Sequence, residues 1–250
     1  MAQGKLIPHS GEAIVLRTWP FHEADLLVSL LTREQGVVKG VARHAMRSRR
    51  RFGGALEPGT HVLAQYTERP REELVRLDSF EILWSPLSAR VDTLRLAGMQ
   101  LVVEVLEQAL PELAPEDNMF RLALATLQAM EHHPVWLPVT YFCLWMNRLM
   151  GWLPELGQCA VCGLDLRGQE VWWSPVADGV TCADDCRANS RPLTPASVLQ
   201  SYAIARSSLP AMVREGPWPK ERAQDLRRFT TAVLERHLER RLRSAAALAA

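Results

Sequence analysis

The chain reads as α+β. A small five-stranded OB-type barrel is expected over residues 1–84, then a helical domain over 85–250 with an inserted four-cysteine, zinc-finger-like hairpin at 156–190. Three observations predict this. Short apolar runs of strand length, separated by turn residues, fill the first third. Apolar residues at helical spacing, punctuated by prolines, fill most of the remainder. Four of the five cysteines cluster as two close pairs.

The strands come first. Ala13–Thr18 is β-like, and Leu26–Thr32 is apolar enough to be buried on both faces. Glu34-Gln35-Gly36 is a tight connection into Val37–Arg43, which alternates with Lys39, Val41 and Arg43 on one face and Val38, Gly40 and Ala42 on the other. Pro58-Gly59 turns the chain into His61–Tyr66. A charged turn containing Pro70 leads to a fifth strand over Leu74–Ile82. Five short strands in so few residues suit a small closed barrel such as the five-stranded oligonucleotide-binding (OB) barrel. Gly36, Gly40 and Gly53-Gly54 fall where bends help closure.

Helices follow. One begins near Ser88 and runs to Pro111, a second covers about Glu116–His132, and a third covers about Pro134–Leu149 with Cys143 as a buried thiol. Thr194-Pro195 is a capped start to a helix ending near Arg206. After Pro217-Trp218-Pro219 a last helix is expected to about Arg243, with Leu226, Phe229 and Val233 inward and Arg227, Arg228, Arg236, Arg240, Arg241 and Arg243 outward.

Between them lies Cys159-Ala-Val-Cys162-Gly163, with Cys182 and Cys186 further on. Two thiolate pairs across a short hairpin present four sulfurs tetrahedrally, as Zn²⁺ prefers. Glu170–Ser174 and Gly179–Thr181 are the expected hairpin strands, and Trp172 and Trp173 are expected to pack. With Cys159, Cys162, Cys182 and Cys186 as ligands no position is left for water, so the metal is structural.

The charge pattern points toward function. Net charge is only +1, yet residues 1–85 carry +2, 86–150 carry −3, 151–186 carry −5 and 187–250 carry +7. Six cations, Lys39, Arg43, Arg47, Arg49, Arg50 and Arg51, occur between Val37 and Gly54, with no acid from Glu34 to Glu57. Such a block suits a polyphosphate backbone or remains a solvated loop. Phe52 is expected as an exposed ring beside it, available to a base. Phe21 is expected to plug the barrel end, and Trp19 either joins it or stands at the rim. No apolar run is long enough to span a membrane, the N-terminus has no apolar signal core, and no P-loop, His-Glu-x-x-His or Gly-x-Ser-x-Gly motif occurs. The expectation is a cytoplasmic protein that is not an enzyme.

The run Glu23–Arg43, with Arg49-Arg50-Arg51-Phe52-Gly53-Gly54-Ala55-Leu56-Glu57-Pro58-Gly59, resembles the N-terminal domain of the bacterial recombination mediator RecO family. The shared pattern is an acidic pair before strand 2, a Gly opening strand 3, a Lys and further basic residues, then a Phe and a Leu-Glu-Pro turn. This chain has Arg43-His44 where many members have Lys-Gly. The resemblance implies a nucleoid-associated mediator of recombinational repair. Such a protein binds single- and double-stranded DNA, anneals strands, and helps load RecA with a RecR partner. It also implies a helical body that in some relatives accepts the C-terminal tail of single-strand-binding protein, and it permits a four-Cys zinc site. On this reading Lys39, Arg43, Arg47, Arg49, Arg50, Arg51 and Phe52 meet DNA. The alternative is a protein–protein adaptor with a structural zinc site and no direct DNA binding.

Overall fold

The computed structural model describes residues 6–48, 50–69, 72–86 and 92–249. Two compact units divide the chain, Met1–Glu131 and His132–Ala250.

In the first unit, β1 (Ile7–Pro20), β2 (Leu26–Thr32), β3 (Gly36–Ala42), β4 (His61–Glu68) and β5 (Val75–Trp84) close into a barrel in the order β1-β2-β3-β5-β4. All neighbours are antiparallel except β3 and β5. This is the strand order of the OB barrel. Strand β1 is longer than its apolar run because each half has its own partner. Ala13–Pro20 pairs with β2, Ile7–Ile14 pairs with β4, and the register shifts between Val15 and Arg17. The polar half, His9-Ser10-Gly11, carries no period-2 apolar signal and is held by the ladder alone. Gly40 sits at the parallel closure, where a Cβ would lie 2.7 Å from Val75 Cγ2 and 2.8 Å from Leu77. Only glycine lets β3 and β5 approach so closely. The barrel interior is filled by Val15, Leu30, Val38, Val62, Leu77 and Phe80.

Helix α1 (Thr93–Ala109) lies against β1 and β2, with Asp92 accepting a hydrogen bond from the Arg95 amide at 2.7 Å as its cap. Helix α2 (Asp117–His132) follows. Ser88 and Val91, in the expected start of the first helix, and Pro70 in the charged turn lie outside the described residues.

The second unit contains α3 (Trp136–Leu149), β6 (Val171–Trp173), β7 (Arg191–Leu193), α4 (Pro195–Arg206), α5 (Leu209–Arg214), α6 (Gln224–His237) and α7 (Arg243–Ala249). Helices α3 and α6 pack together, and the buried Asn147 amide bridges them by donating to Cys143 O at 2.7 Å and Thr230 O at 2.9 Å. Helix α4 starts as expected, with Thr194 Oγ1 accepting from the Ser197 amide and Pro195 at the first turn.

Three expectations are corrected here. The last expected helix, to about Arg243, is shorter: α6 spans Gln224–His237 and stops because Glu239 adopts a left-handed φ of 52°, the Glu235 carboxylate accepts from the Leu242 amide at 3.0 Å, and α7 starts only at Arg243. Arg227, expected outward, is buried: its guanidinium donates to Thr140 Oγ1 at 3.2 Å, Arg222 O at 2.8 Å and Lys220 O, and lies 5.0 Å from the centre of the Trp136 ring. The strand Val171–Trp173 pairs chiefly with Arg191–Leu193, keeping only a bridge from Trp172 to Thr181.

Candidate nucleic-acid interface and metal centre

The basic stretch begins on β3. Its alternation is realised: Lys39 and Val41 face outward while Val38, Gly40 and Ala42 are buried. Strand β5 covers only Gly40–Ala42 of that edge. Lower down, Val37 pairs instead with Glu112, and the Leu113 amide donates to Val37 O at 3.0 Å. That pairing brings Glu112 over the track, where its carboxylate meets Lys39 Nζ at 2.7 Å.

Beyond β3 the chain turns at His44, whose φ of 54° is left-handed. A Gly at this position adopts such a turn freely; here the Asp25 carboxylate holds the His44 amide at 2.7 Å instead. A short 3₁₀ turn, Ala45–Arg47, follows. Arg47 pairs with Glu23 at 3.3 Å, with both side chains almost fully in solvent. Arg51 folds back, its guanidinium donating to Arg43 O and to Ser48 Oγ at 3.3 Å. Arg50 is exposed, and Arg49 lies outside the described residues. Among the described residues no carboxylate pairs with Arg43 or Arg50.

The two phenylalanine expectations exchange places. Phe52 is 3% exposed and packs edge-on against Phe80 with centroids 5.5 Å apart, so it is a barrel-core residue rather than an open ring. Phe21 is 41% exposed and leans on His22 with centroids 4.3 Å apart. Trp19 is half-buried, under the Arg17 guanidinium at 4.7 Å. Phe21 and His22 line a cleft of about 420 Å³ together with Asp25, Val41, Arg43, His44, Arg69 and Arg76. Arg69 and Arg76 are held locally by Glu72 at 3.3 Å and Asp78 at 2.7 Å. The cleft therefore joins an open aromatic pair to three guanidinium groups at the β3–β5 closure. The sequence alone did not mark Arg69 or Arg76, because only the barrel's closure brings them to Arg43.

In the second unit, Cys159, Cys162 and Cys182 gather with Asp185, their four ligand atoms lying within 4.8 Å of one another. The Cys182 Sγ is 3.9 Å from both Cys159 Sγ and Cys162 Sγ, and Asp185 Oδ2 is 3.3 Å from Cys159 Sγ and 3.2 Å from Cys182 Sγ. A tetrahedral Zn²⁺ with bonds of about 2.3 Å to sulfur and about 2.0 Å to oxygen requires S···S edges of roughly 3.8 Å and S···O edges of roughly 3.5 Å. The donor set fits the ion. Gly163, at φ 78°, makes the first turn, in which the Gly163 amide returns to Cys159 O at 3.0 Å. The Cys182 amide points at Cys159 Sγ at 3.4 Å. Cys186, expected as the fourth ligand, stands outside this group. The spacing that closes is Cys182-x2-Asp185, which repeats the Cys159-x2-Cys162 knuckle. Hydrogen bonds from the thiols, that of Cys162 foremost, hold the Asp185 carboxyl below its usual range, and the same carboxylate pushes the Cys162 thiol up to about 12.

Two family models cover the chain, Recombination protein O N terminal over residues 7–86 and Recombination protein O C terminal over residues 90–246. The chain belongs to the RecO family. It is 50% identical over 234 residues to the DNA repair protein RecO of Koribacter versatilis (strain Ellin345), covering 92% of this chain and 94% of that one. It is 34% identical over 232 residues to the DNA repair protein RecO of Anaeromyxobacter sp. (strain K), covering 92% and 91%. It is 28% identical over 242 residues to that of Bifidobacterium longum (strain DJO10A), covering 93% and 95%. As a RecO-family DNA repair protein, the chain joins the barrel and the cysteine cluster described above in one molecule. No helix among the described residues is long and apolar enough to cross a membrane.

Proposed function

We propose that this protein is a DNA-binding recombination mediator without catalytic activity of its own. It binds single- and double-stranded DNA through the N-terminal barrel, anneals strands, and acts with a RecR-like partner and the tail of single-strand-binding protein in loading RecA. The observation that carries this reading is the cleft at the β3–β5 closure, where Phe21 and His22 stand beside Arg43, Arg69 and Arg76. Phosphates engage the guanidinium groups, and a base stacks on the open ring. The ion pairs of Arg47, Arg69 and Arg76 do not oppose this. Exposed pairs are held by about 0–1 kcal/mol, so a phosphate displaces the carboxylate at little cost. Annealing by charge neutralisation needs no nucleotide triphosphate.

The cysteine cluster is read as a structural Zn²⁺ site held by Cys159, Cys162, Cys182 and Asp185. The ion supplies cross-linking of the two knuckles, and all its positions are taken by the chain.

Titration of labelled single- and double-stranded oligonucleotides at two salt concentrations tests the reading. DNA affinity should fall steeply as salt rises, and Arg43→Glu should weaken binding at least tenfold without unfolding. An adaptor that docks only proteins shows no binding to either oligonucleotide.

A further inference from the structure

A second cavity lies wholly within the second unit, between β7 and the first turns of α4 and α6. It encloses about 600 Å³ and is rimmed by Arg191, Arg222 and Arg228. Its walls include Trp173, Pro192 and Ala196. Cavities of roughly 300–1,000 Å³ take ligands of nucleotide or drug size.

The rim is free to bind an anion. Arg191 and Arg228 are exposed, and among the described residues neither has an ion pair. Arg222 is positioned by Gln200 Oε1 at 3.0 Å and by the face of Trp218 at 4.2 Å. Of the two acids in the wall, Asp225 is already engaged: its carboxylate accepts from the Thr194 amide at 2.8 Å, from Thr194 Oγ1 at 2.9 Å and from Ser197 Oγ. That carboxylate caps the start of α4 and stays ionised, so with Glu221 it offsets two of the three guanidinium charges and leaves the opening with a net positive charge. The aromatic part of the wall is the Trp173 ring, itself 3% exposed. The surrounding segment, 187–250, carries twelve basic against five acidic residues.

We infer that this cavity is a nucleotide-binding pocket selective for single-stranded DNA. One unstacked base enters the apolar interior beside Trp173 and Pro192, and the phosphates on either side of it meet Arg191 and Arg228. A duplex keeps its bases stacked and paired and has nothing to insert, so the pocket distinguishes the two forms. Three separate guanidinium groups around one opening suit a chain that carries a charge at every nucleotide better than a peptide that offers one terminal carboxylate. The inference rests on the DNA-binding reading above and adds a strand preference and a second contact, independent of the barrel.

The test uses the full-length protein, an oligothymidylate, and a duplex hairpin of matched charge, followed by fluorescence anisotropy at one salt concentration. Two variants probe the pocket. Arg191→Glu with Arg228→Glu reverses the rim, and Ala196→Trp fills the interior from an exposed helix position without altering charge. Both should lower affinity for oligothymidylate at least fivefold and change duplex affinity less than twofold, with thermal midpoints near that of the wild type. Equal losses on both DNA forms, or no loss on either while the wild type binds, overturn the pocket. If thymidine monophosphate alone binds as tightly as the oligonucleotide, the ligand is a free nucleotide and the inference fails. It fails too if the variants lose an acidic, apolar-ended peptide and keep DNA. A wild-type protein that binds neither DNA sinks the parent reading as well, a result distinguishable from failure of the pocket alone.

Discussion

Lys39 Nζ lies 2.7 Å from Glu112 Oε1, and both side chains stay within reach of water, at 37% and 53% exposed. The pair exists because β5 leaves the lower half of β3 uncovered and the segment after α1 fills that edge. Glu112 thus stands beside β3, whose cations are proposed to meet DNA. An exposed pair of this kind contributes about 0–1 kcal/mol to stability, so removing it scarcely affects folding. Its electrostatic effect on a polyanion is larger, because the carboxylate both neutralises Lys39 and repels a phosphate. Glu112→Gln should raise DNA affinity by about two- to fivefold, while Lys39→Glu lowers it by about tenfold. Anisotropy titrations of both variants at low salt check this. If Glu112→Gln binds no better than wild type, Lys39 is not on the DNA path.

The exchange of roles between Phe21 and Phe52 yields two opposite outcomes. Phe52→Ala opens a cavity in the barrel core and should destabilise the protein by about 3–5 kcal/mol, seen as a lower denaturation midpoint. Phe21→Ala should cost little stability and weaken single-strand binding by about 1–3 kcal/mol, the worth of one stacked base. Denaturation and DNA titration on the same two variants separate them. A Phe21→Ala protein with normal DNA affinity removes the stacking role.

These two rings also mark how far the sequence could be read. The barrel was legible because five apolar runs and Gly40 each state a local requirement, and the cap at Thr194-Pro195 was legible for the same reason. Phe52 was not, because it sits among arginines and its burial depends on Phe80 arriving from another strand. Arg227 failed similarly: helical spacing places it outward, but the turn at Lys220–Arg222 brings two carbonyl acceptors to it and α3 brings Thr140 Oγ1 and the Trp136 ring. His44 stands in a left-handed turn, and Asp25, distant in sequence, supplies the bond that holds it. The place of Asp185 in the cysteine cluster was hidden because a thiol at position 186 outranks a carboxylate at 185 on residue type, although the x2 spacing favours the carboxylate.

That ligand choice has a direct consequence. With Asp185 in the set, Asp185→Ala should lower Zn²⁺ affinity sharply, by tenfold or more, and Cys186→Ser should retain one metal per chain. Metal content after dialysis against a graded chelator gives the ranking. Co²⁺ in place of Zn²⁺ gives a second readout, because thiolate-to-metal absorption should match three sulfurs in wild type and Cys186→Ser alike. Loss of metal on Cys186→Ser, with retention on Asp185→Ala, reverses the assignment. Full chelation should lower the thermal midpoint, because metal binding free energy is folding free energy.

Cys143 provides a test of the α3–α6 core that is independent of DNA and metal. Its thiol is fully buried, and desolvation pushes it from 9.0 up to about 12 in the folded chain. The folded state therefore keeps this proton after the unfolded state has released it. The contribution to stability is complete below about pH 9 and is lost as pH rises from there toward about 12, with a slope approaching 1.4 kcal/mol per pH unit. Burial also lowers the Arg227 guanidinium on α6, but three oxygen acceptors hold it and it stays charged throughout this range. Between about pH 9 and 10 the Cys143 thiol therefore sets the difference. Urea denaturation at about pH 8, 9 and 10 should show wild type losing more stability than Cys143→Ala across that interval, although Cys143→Ala begins lower because of the space it leaves. Parallel pH profiles for the two proteins would mean that Cys143 ionises freely in the folded chain and that the α3–α6 contact admits water.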